Sequence, residues 1–218
     1  MPKGKIRPYE LKDREAIRQI CFETGFMGEP ADFYWTDMES FADMWSSYYT
    51  DHEPESVLVA EVDNEVVGYL LGCLDSKKAY NPVKIGARYA FLGGGLLNSG
   101  TRPVLLRTVR DTVADLISRK SPLTGPFDDP RWPSHLHIDF LKKGRGLGLG
   151  REIMTTWLER LRSKGSPGCH LETLAENHSA IAFFKTMGFE LFGEPQLAPG
   201  IRSPKGVRVH GQVMVQTL

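Results

Sequence analysis

The chain has 218 residues, of which 41% are hydrophobic and 25% are charged, and this composition excludes a disordered, collagenous or fibrous protein. Its 27 Lys and Arg residues balance 27 Asp and Glu residues, so it has no general attraction for nucleic acid or for an anionic membrane. The length predicts a single domain over 1–218. Cys21, Cys73 and Cys169 are widely spaced and form no C-x-x-C pair, so we expect no zinc knuckle or disulfide framework. These thiols, with no signal-like or membrane-length apolar run, predict a cytoplasmic protein.

The first 75 residues predict a strand, two helices and a hairpin. Residues 4–9 form the expected first strand, and Asp13 is the expected cap of the first helix, whose apolar positions recur at helical spacing: Ala16, Ile17, Ile20 and Cys21. A second helix is predicted from Asp37 toward Tyr49. Residues 56–62 and 66–74 flank a short turn and are nearly continuously apolar, which indicates a hairpin covered on both faces.

Residues 22–49 concentrate aromatic side chains and admit two interpretations. They hold Phe22, Phe26, Phe33, Tyr34, Trp35, Phe41, Trp45, Tyr48 and Tyr49. Most of these residues are expected to be core, together with a surface for a homodimer. Gly and Pro surround Phe33, Tyr34 and Trp35, so these three are the predicted contacts of a substrate.

Residues 76–134 are interpreted as an insertion or variable connection that is too poor in core-forming runs to fold alone. A helix is expected within it from about Pro103 to Arg119. A Gly-rich piece at 91–100 precedes this helix, and a Pro-rich loop at 121–133 follows it.

The last third of the chain predicts strands and helices in alternation. The expected order is a strand at 135–141, a helix from Leu149 to Ser163, a strand at 169–174, a helix from Asn177 to Gly188, and closing strands at 189–192 and 207–215. Ala180, Ile181, Phe184 and Met187 are the expected inward side of the second of these helices.

The glycine loop, residues 144–150, carries glycine at every second position between a predicted strand and a predicted helix. Bare main-chain amides at a helix start bind anions, and Lys142, Lys143, Arg145 and Arg151 add positive charge, so we predict a cradle for a phosphate or pyrophosphate. The P-loop pattern is excluded because no Lys-Ser or Lys-Thr follows. The G-x-G-x-x-G pattern also fails, because its third glycine position falls on Leu149 or Arg151.

Arg145-x-x-Gly148-x-Gly150 resembles the [R/Q]-x-x-G-x-[G/A] signature of the GNAT acetyltransferase superfamily. The later segment resembles that family's Asn, last helix and G-F ending, through Asn177, Ala180, Phe183, Gly188 and Phe189. The resemblance is specific from about 135 to 192 and looser over 4–26 and 56–75. The strand HLHIDFL and the C-terminal pieces also resemble the acetyltransferase-like domain of O-GlcNAcase and its free-standing bacterial relatives.

The resemblance implies an α/β fold with a twisted, mixed and largely antiparallel sheet, a central splay, helices on both faces, and the insertion between the hairpin and the fourth strand. It implies transfer of an acetyl group from acetyl-CoA to an amine by direct attack in a ternary complex. Pantetheine would enter the splay near the amides of Phe140 and Leu141. The remaining implied cofactor contacts are Arg145, Gly146, Leu147, Gly148, Leu149, Gly150, Arg151, Asn177 and Phe184.

His135, His137 and Asp139 share one face of their predicted strand and are the candidate catalytic residues. Either histidine is a candidate general base, and Asp139 is placed to hold or tune a neighbouring histidine. The alternative is a structural role, and no metal site is expected. A β-bulge in this strand, common in the family, would change which side chains face the cleft.

Phe184 departs from the family pattern, because many members have a tyrosine there that protonates the leaving thiolate. We therefore retain a second hypothesis, a catalytically degenerate acyl-CoA-binding module that senses or scaffolds. A third is a protein that binds nucleotide phosphates.

Overall fold

The computed structural model describes residues 4–79, 98–118 and 127–218. Its strands are β1 (Gly4–Pro8), β2 (Val57–Val62), β3 (Glu65–Cys73), β4 (Ser134–Phe140), β5 (Gly168–Leu174), β6 (Glu190–Arg202) and β7 (Arg208–Thr217). Its helices are α1 (Arg14–Thr24), α2 (Met38–His52), α3 (Arg102–Ile117), α4 (Leu149–Ser163) and α5 (His178–Thr186). These bounds confirm most of the predicted elements, although the Gly-rich piece at 91–97 and the loop at 121–126 lie outside the described residues.

The strands form one seven-stranded sheet in the order β1-β2-β3-β4-β5-β7-β6. Every neighbouring pair is antiparallel except β4 with β5, which is parallel. That parallel pairing joins only Ser134 to Cys169 and His135 to His170, so the two strands separate beyond His135. We call this opening the β4–β5 gap, and it confirms the predicted central splay.

Helices cover both faces of the sheet, as predicted. On one face, α1 and α2 pack through Ile17, Ile20 and Phe41 against alternate residues of the hairpin. On the other face, α4 and α5 pack through Trp157 and Phe184 against the remaining residues of the same strands. This alternation explains why the hairpin reads as continuously apolar, because its side chains are buried on both sides.

Helix α3 lies inside the predicted insertion and packs on β6, and two buried carboxylates tie it to β6 and β7. Asp111 pairs with Arg202, and Asp115 pairs with Arg208. The long antiparallel pair of β6 and β7 is thereby held at the sheet edge.

Asp13 occupies the position before α1, as predicted, but its carboxylate does not cap that helix. It accepts hydrogen bonds from the Glu10 amide at 2.8 Å and from the Arg7 guanidinium. The buried Asp13–Arg7 pair is therefore a link between β1 and the start of α1. All three cysteines are reduced and buried. No helix in the described part of the chain has the length and apolarity needed to cross a membrane.

Candidate active site

The glycine loop leaves β4 through a short turn and leads directly into α4. Gly146 and Gly148 have φ values of 75° and 82°, which only glycine adopts without strain. A Cβ placed on either residue would meet no atom within 4 Å, so open space lies in front of both. The sequence therefore keeps glycine here for backbone conformation and access rather than for tight packing.

The amides of the glycine loop are free to bind an anion. Among the described residues, none accepts a hydrogen bond from the amides of Gly146, Leu147 or Gly148. Leu149 and Gly150 form the first turn of α4, where amides have no partner within the helix. These groups and the positive end of the helix dipole converge on one exposed surface, which fits the predicted phosphate cradle.

The four basic residues near the glycine loop contribute unequally. Lys142 is paired with Glu29 at 2.9 Å, and Lys143 is paired with Glu65. Arg145 donates from Nε to the Phe140 carbonyl at 2.9 Å and from Nη2 to the Gly28 carbonyl at 2.8 Å. Arg145 therefore braces the loop through two main-chain carbonyls, and Arg151 has no ion-pair partner in the described chain.

The edge of β4 that faces the gap is set by strand alternation. The Leu141 amide donates to the Val67 carbonyl at 2.8 Å, and the register with β3 is unbroken from Phe140 to His135. Alternate residues of an antiparallel strand bond to the same neighbour, so the main-chain groups of Ile138 and Phe140 point to the other side, into the β4–β5 gap.

This geometry corrects one prediction and adds a residue. The Leu141 amide is already bonded within the sheet, so it is not a free donor for pantetheine. The Phe140 amide keeps its predicted position at the gap, and Ile138, which the sequence reasoning missed, joins it. The odd-even pattern of the strand was the signal that could have identified Ile138.

No bulge interrupts β4 against β3, so its polar face stays as predicted, with His135, His137 and Asp139 turned toward α1 and α2. The register shift in this part of the sheet lies instead between Ala60 and Glu61 of β2. No three His, Cys, Asp or Glu side chains converge as metal ligands anywhere in the described ranges.

Asp139 has the environment of a general base. Its Oδ2 accepts a hydrogen bond from the Tyr69 hydroxyl at 2.8 Å. Burial raises the pKa of the Asp139 carboxyl to about 7, although the Tyr69 hydrogen bond acts in the opposite direction. A base with this pKa is substantially ionised at neutral pH and still holds a proton well.

His135 is held as a structural residue, which argues against its predicted catalytic role. Ser76 Oγ donates to the Pro133 carbonyl at 2.7 Å, so it accepts at 2.6 Å from His135 Nδ1. That leaves Nε2 as the acceptor for the Tyr49 hydroxyl at 2.7 Å. Burial lowers the pKa of His135 well below its usual value, which keeps this neutral tautomer. Both ring nitrogens are occupied, so neither can take a substrate proton.

His137 differs from its neighbour. Its ring packs edge-on against Trp45 and Tyr49, with centroids 5.9 and 5.5 Å apart. Burial lowers the pKa of His137 to about 4, so the ring is neutral at pH 7. No group in the described chain hydrogen-bonds to its nitrogens, so its catalytic role stays a prediction, although its lowered pKa makes it a weaker base than Asp139.

Asn177 lies just before α5, and Phe184 lies within that helix. Asn177 caps α5, because its Oδ1 accepts from the Ala180 amide at 3.2 Å and from Ser179 Oγ at 3.0 Å. Only its amide NH₂ is left to reach a cofactor. Phe184 is 6% exposed and packs against Phe183 and Phe189, so this position offers no proton donor.

The three predicted substrate contacts separate into two groups. Phe33 and Tyr34 line a cavity of about 290 Å³, which we call the hairpin pocket because the turn between β6 and β7 forms its other wall. Trp35 is instead 6% exposed in the core, and its Nε1 donates to Ser40 Oγ at 2.9 Å. We therefore remove Trp35 from the expected substrate surface.

Comparison with known proteins supports the resemblance seen in the sequence. Residues 126–189 match the model of the GNAT acetyltransferase family. This segment holds β4, the glycine loop, α4, β5 and α5, so it coincides with the candidate site. Acetyl-CoA is the acetyl donor used by that family.

Solved structures share the fold over nearly the whole chain. The protein SsHAT is 24% identical in sequence and has a TM-score of 0.64, and the alignment covers 99% of this chain and 98% of SsHAT. The ribosomal-protein-alanine N-acetyltransferase of Brucella melitensis is 20% identical, with coverages of 98% and 99% and a TM-score of 0.57. The protein yncA of Salmonella typhimurium, solved with its cofactor acetyl-CoA, is 16% identical, with coverages of 99% and 94% and a TM-score of 0.57.

These likenesses show that the chain has the GNAT fold, and residues 126–189 are similar to the GNAT acetyltransferase family. The narrower resemblance to the O-GlcNAcase domain stays a prediction.

Proposed function

We propose that the protein is an N-acetyltransferase that moves an acetyl group from acetyl-CoA to an amine by direct attack in a ternary complex. The observation that carries the proposal is the parting of β4 and β5 beyond His135, next to a loop of open amides. A slot beside an anion cradle suits a ligand with a pyrophosphate and a long thin arm. The family match over the same residues supports this interpretation.

The residues present fit acetyl-CoA. The amides of residues 146–150 would hold the pyrophosphate, and Arg151 and the amide NH₂ of Asn177 would add further polar contacts. The main-chain groups of Ile138 and the amide of Phe140 would bind the pantetheine arm, because the Phe140 carbonyl already accepts a hydrogen bond from Arg145. When bound, acetyl-CoA supplies an activated acetyl thioester.

Phe140 and Asp139 have the two chemical roles of the proposal. The Phe140 amide, which points into the gap, is a fixed donor for the negative charge that develops on a carbonyl oxygen during acyl transfer. The side chain of Asp139, the residue before Phe140, points to the face of the sheet covered by α1 and α2 and accepts a proton from the amine. One strand therefore positions both groups.

A specific observation favours a second candidate function, the acyl-CoA-binding module without catalysis. Phe184 cannot protonate a leaving thiolate. A thiol with a pKa near 8.5 that leaves unprotonated at pH 7 costs about 2 kcal/mol, which is roughly a 30-fold rate loss. A loss of that size slows an enzyme without abolishing its activity, so the acetyltransferase remains our conclusion.

Release of free CoA across a panel of amines between pH 6 and 9 separates the two functions. We expect turnover with at least one amine, and we expect Asp139→Asn to bind acetyl-CoA normally while losing most turnover. Tight binding of acetyl-CoA without turnover on any amine at any of these pH values would favour the binding module without catalysis. Thermal stabilisation by ATP or NAD but not by acetyl-CoA would instead favour the nucleotide-binding hypothesis.

A further inference from the structure

The hairpin pocket lies at the open end of the β4–β5 gap. The loop between α1 and α2, which carries Phe33 and Tyr34, is fixed to the β4 side because Gly28 accepts from Arg145 just after that strand. Residue Gly211 of β7 pairs with Leu174 at the end of β5, so the turn before it extends past β5. The two halves of the sheet therefore contribute opposite walls of one pocket.

The pocket carries a net positive charge. Arg107 and Arg202 both line it, and no carboxylate does so among the described residues. Arg202 is neutralised by the buried Asp111, which also accepts from the Gly200 amide at 3.1 Å. Arg107 is half-buried and has neither an ion-pair partner nor a hydrogen-bond partner within the described chain. One guanidinium is thus left for a ligand.

The start of α3 also borders the pocket, but its amides are not available. Asn98 accepts the Arg102 amide with its carbonyl at 2.9 Å and the Gly100 amide with its side chain at 2.9 Å. Pro103 has no amide hydrogen. Arg107, one turn further along α3, is therefore the donor that an incoming anion would meet.

We propose that the acceptor is a small amine that also carries a carboxylate or a phosphate, and that Arg107 binds this anionic group. Phe33 and Tyr34 cover the apolar part of the acceptor, and its amine lies toward the gap. A pocket of about 290 Å³ fits a metabolite-sized molecule. The inference rests on the proposed function, because it names the substrate class of that site.

The test measures binding of matched amines by calorimetry in the presence of CoA, and then turnover with acetyl-CoA. The carboxylate arm compares phenylalanine with phenylalaninamide, and the phosphate arm compares 2-aminoethyl phosphate with ethanolamine. Each is repeated with Arg107→Gln. The matched control is Arg110→Gln, which removes an exposed arginine of the same helix outside the pocket.

In at least one arm the anionic amine should bind at least about ten times more tightly than its neutral partner. Arg107→Gln should remove that preference. The KM for the anionic acceptor should rise by the same factor, while kcat, acetyl-CoA affinity and the neutral amines stay unchanged. Arg110→Gln should match the wild type. The arm with the larger preference identifies carboxylate or phosphate.

Equal binding of both members of each pair, or an unchanged preference in Arg107→Gln, would overturn the inference. So would a neutral peptide α-amine that binds more tightly than every small amine. Either result, obtained while acetyl-CoA still binds and an amine is still acetylated, leaves the proposed function intact. Absence of acetyl-CoA binding would instead remove the proposed function, and the calorimetric preference would still report on Arg107.

Discussion

Substitution of Gly148 by Glu tests the anion cradle, and the chain offers a matched control at the other end of the same helix. Gly148 precedes α4 and Gly165 follows it, with φ values of 82° and 72°. A Cβ at either position meets no atom within 4 Å. Glu should therefore cause a similar backbone strain at both sites, about 1–2 kcal/mol.

The helix dipole makes the control the harsher test of folding. A carboxylate is stabilising at a helix N-terminus and destabilising at a C-terminus, by about 0.3–1 kcal/mol in each case. Gly165→Glu should thus be the less stable variant. If Gly148→Glu alone loses the cofactor, a folding defect cannot be the reason.

The expected loss of affinity follows from charge repulsion. A pyrophosphate with about two negative charges, roughly 5 Å from a carboxylate at an effective dielectric of about 40–80, is repelled by about 2–3 kcal/mol. That corresponds to an affinity loss of about 30- to 150-fold, before any loss from blocked space. Acetyl-CoA affinity is measured by calorimetry, and folding is measured by thermal unfolding.

We expect Gly165→Glu to bind like the wild type and Gly148→Glu to bind at least 30 times more weakly. Wild-type affinity in a folded Gly148→Glu protein would refute the cradle. An equal loss in both variants would show that the effect is general and not local to the loop.

Four further predictions concern Asp139, Phe184 and His135. The transfer rate should rise with pH through about 7, because Asp139 accepts a proton only in its ionised form. Asp139→Asn should remove this inflection from the pH profile and lower kcat at pH 8 by about 10²- to 10⁴-fold. The folded state binds the Asp139 proton more tightly than the unfolded chain does, so the free energy of unfolding should fall as pH rises from about 4 to 7. Thermal unfolding of Asp139→Asn should lack this part of the fall. A pH dependence of stability equal to that of the wild type would contradict the assignment. Phe184→Tyr should raise kcat at pH 7 by up to about 30-fold without changing acetyl-CoA affinity, and weaker binding would show instead that the ring packs on pantetheine. His135→Phe should lower the unfolding free energy by about 2 kcal/mol, because the buried Tyr49 hydroxyl loses its acceptor and Ser76 loses one of its two partners, and it should leave acetyl-CoA affinity unchanged. The matched His137→Phe should cost less, and equal losses would contradict the structural role of His135.

The parts of the site that depend on local pattern could be predicted from the sequence. Alternation placed His135, His137 and Asp139 on one face of β4, and the spacing of Gly146 and Gly148 indicated bare amides at a helix start. Both are short-range consequences of backbone geometry, so a single sequence contains them.

Interactions between distant segments could not be predicted. The hydrogen bonds that occupy both nitrogens of His135 come from Tyr49 and Ser76, which lie 86 and 59 residues away. The pairing of Asp111 with Arg202 spans 91 residues. Because that pairing leaves Arg107 as the pocket's unpaired guanidinium, the sequence could not identify Arg107 as a binding residue either. No periodicity connects such positions.

The closing strand shows a different failure. The sequence predicted a strand only at 189–192, yet β6 runs to Arg202 and includes Pro195, Pro199 and Gly200. It lies at the sheet edge, and its pairing with β7 is interrupted by two register shifts. An edge strand tolerates proline because one side makes no ladder hydrogen bonds.

A crystal structure of the protein with acetyl-CoA tests the central claim most directly. We predict pyrophosphate oxygens within hydrogen-bonding distance of amides in residues 146–150, and a pantetheine arm lying along Ile138 and Phe140 between β4 and β5. Cofactor bound elsewhere, or β4 and β5 closed against each other with no arm between them, would contradict the account.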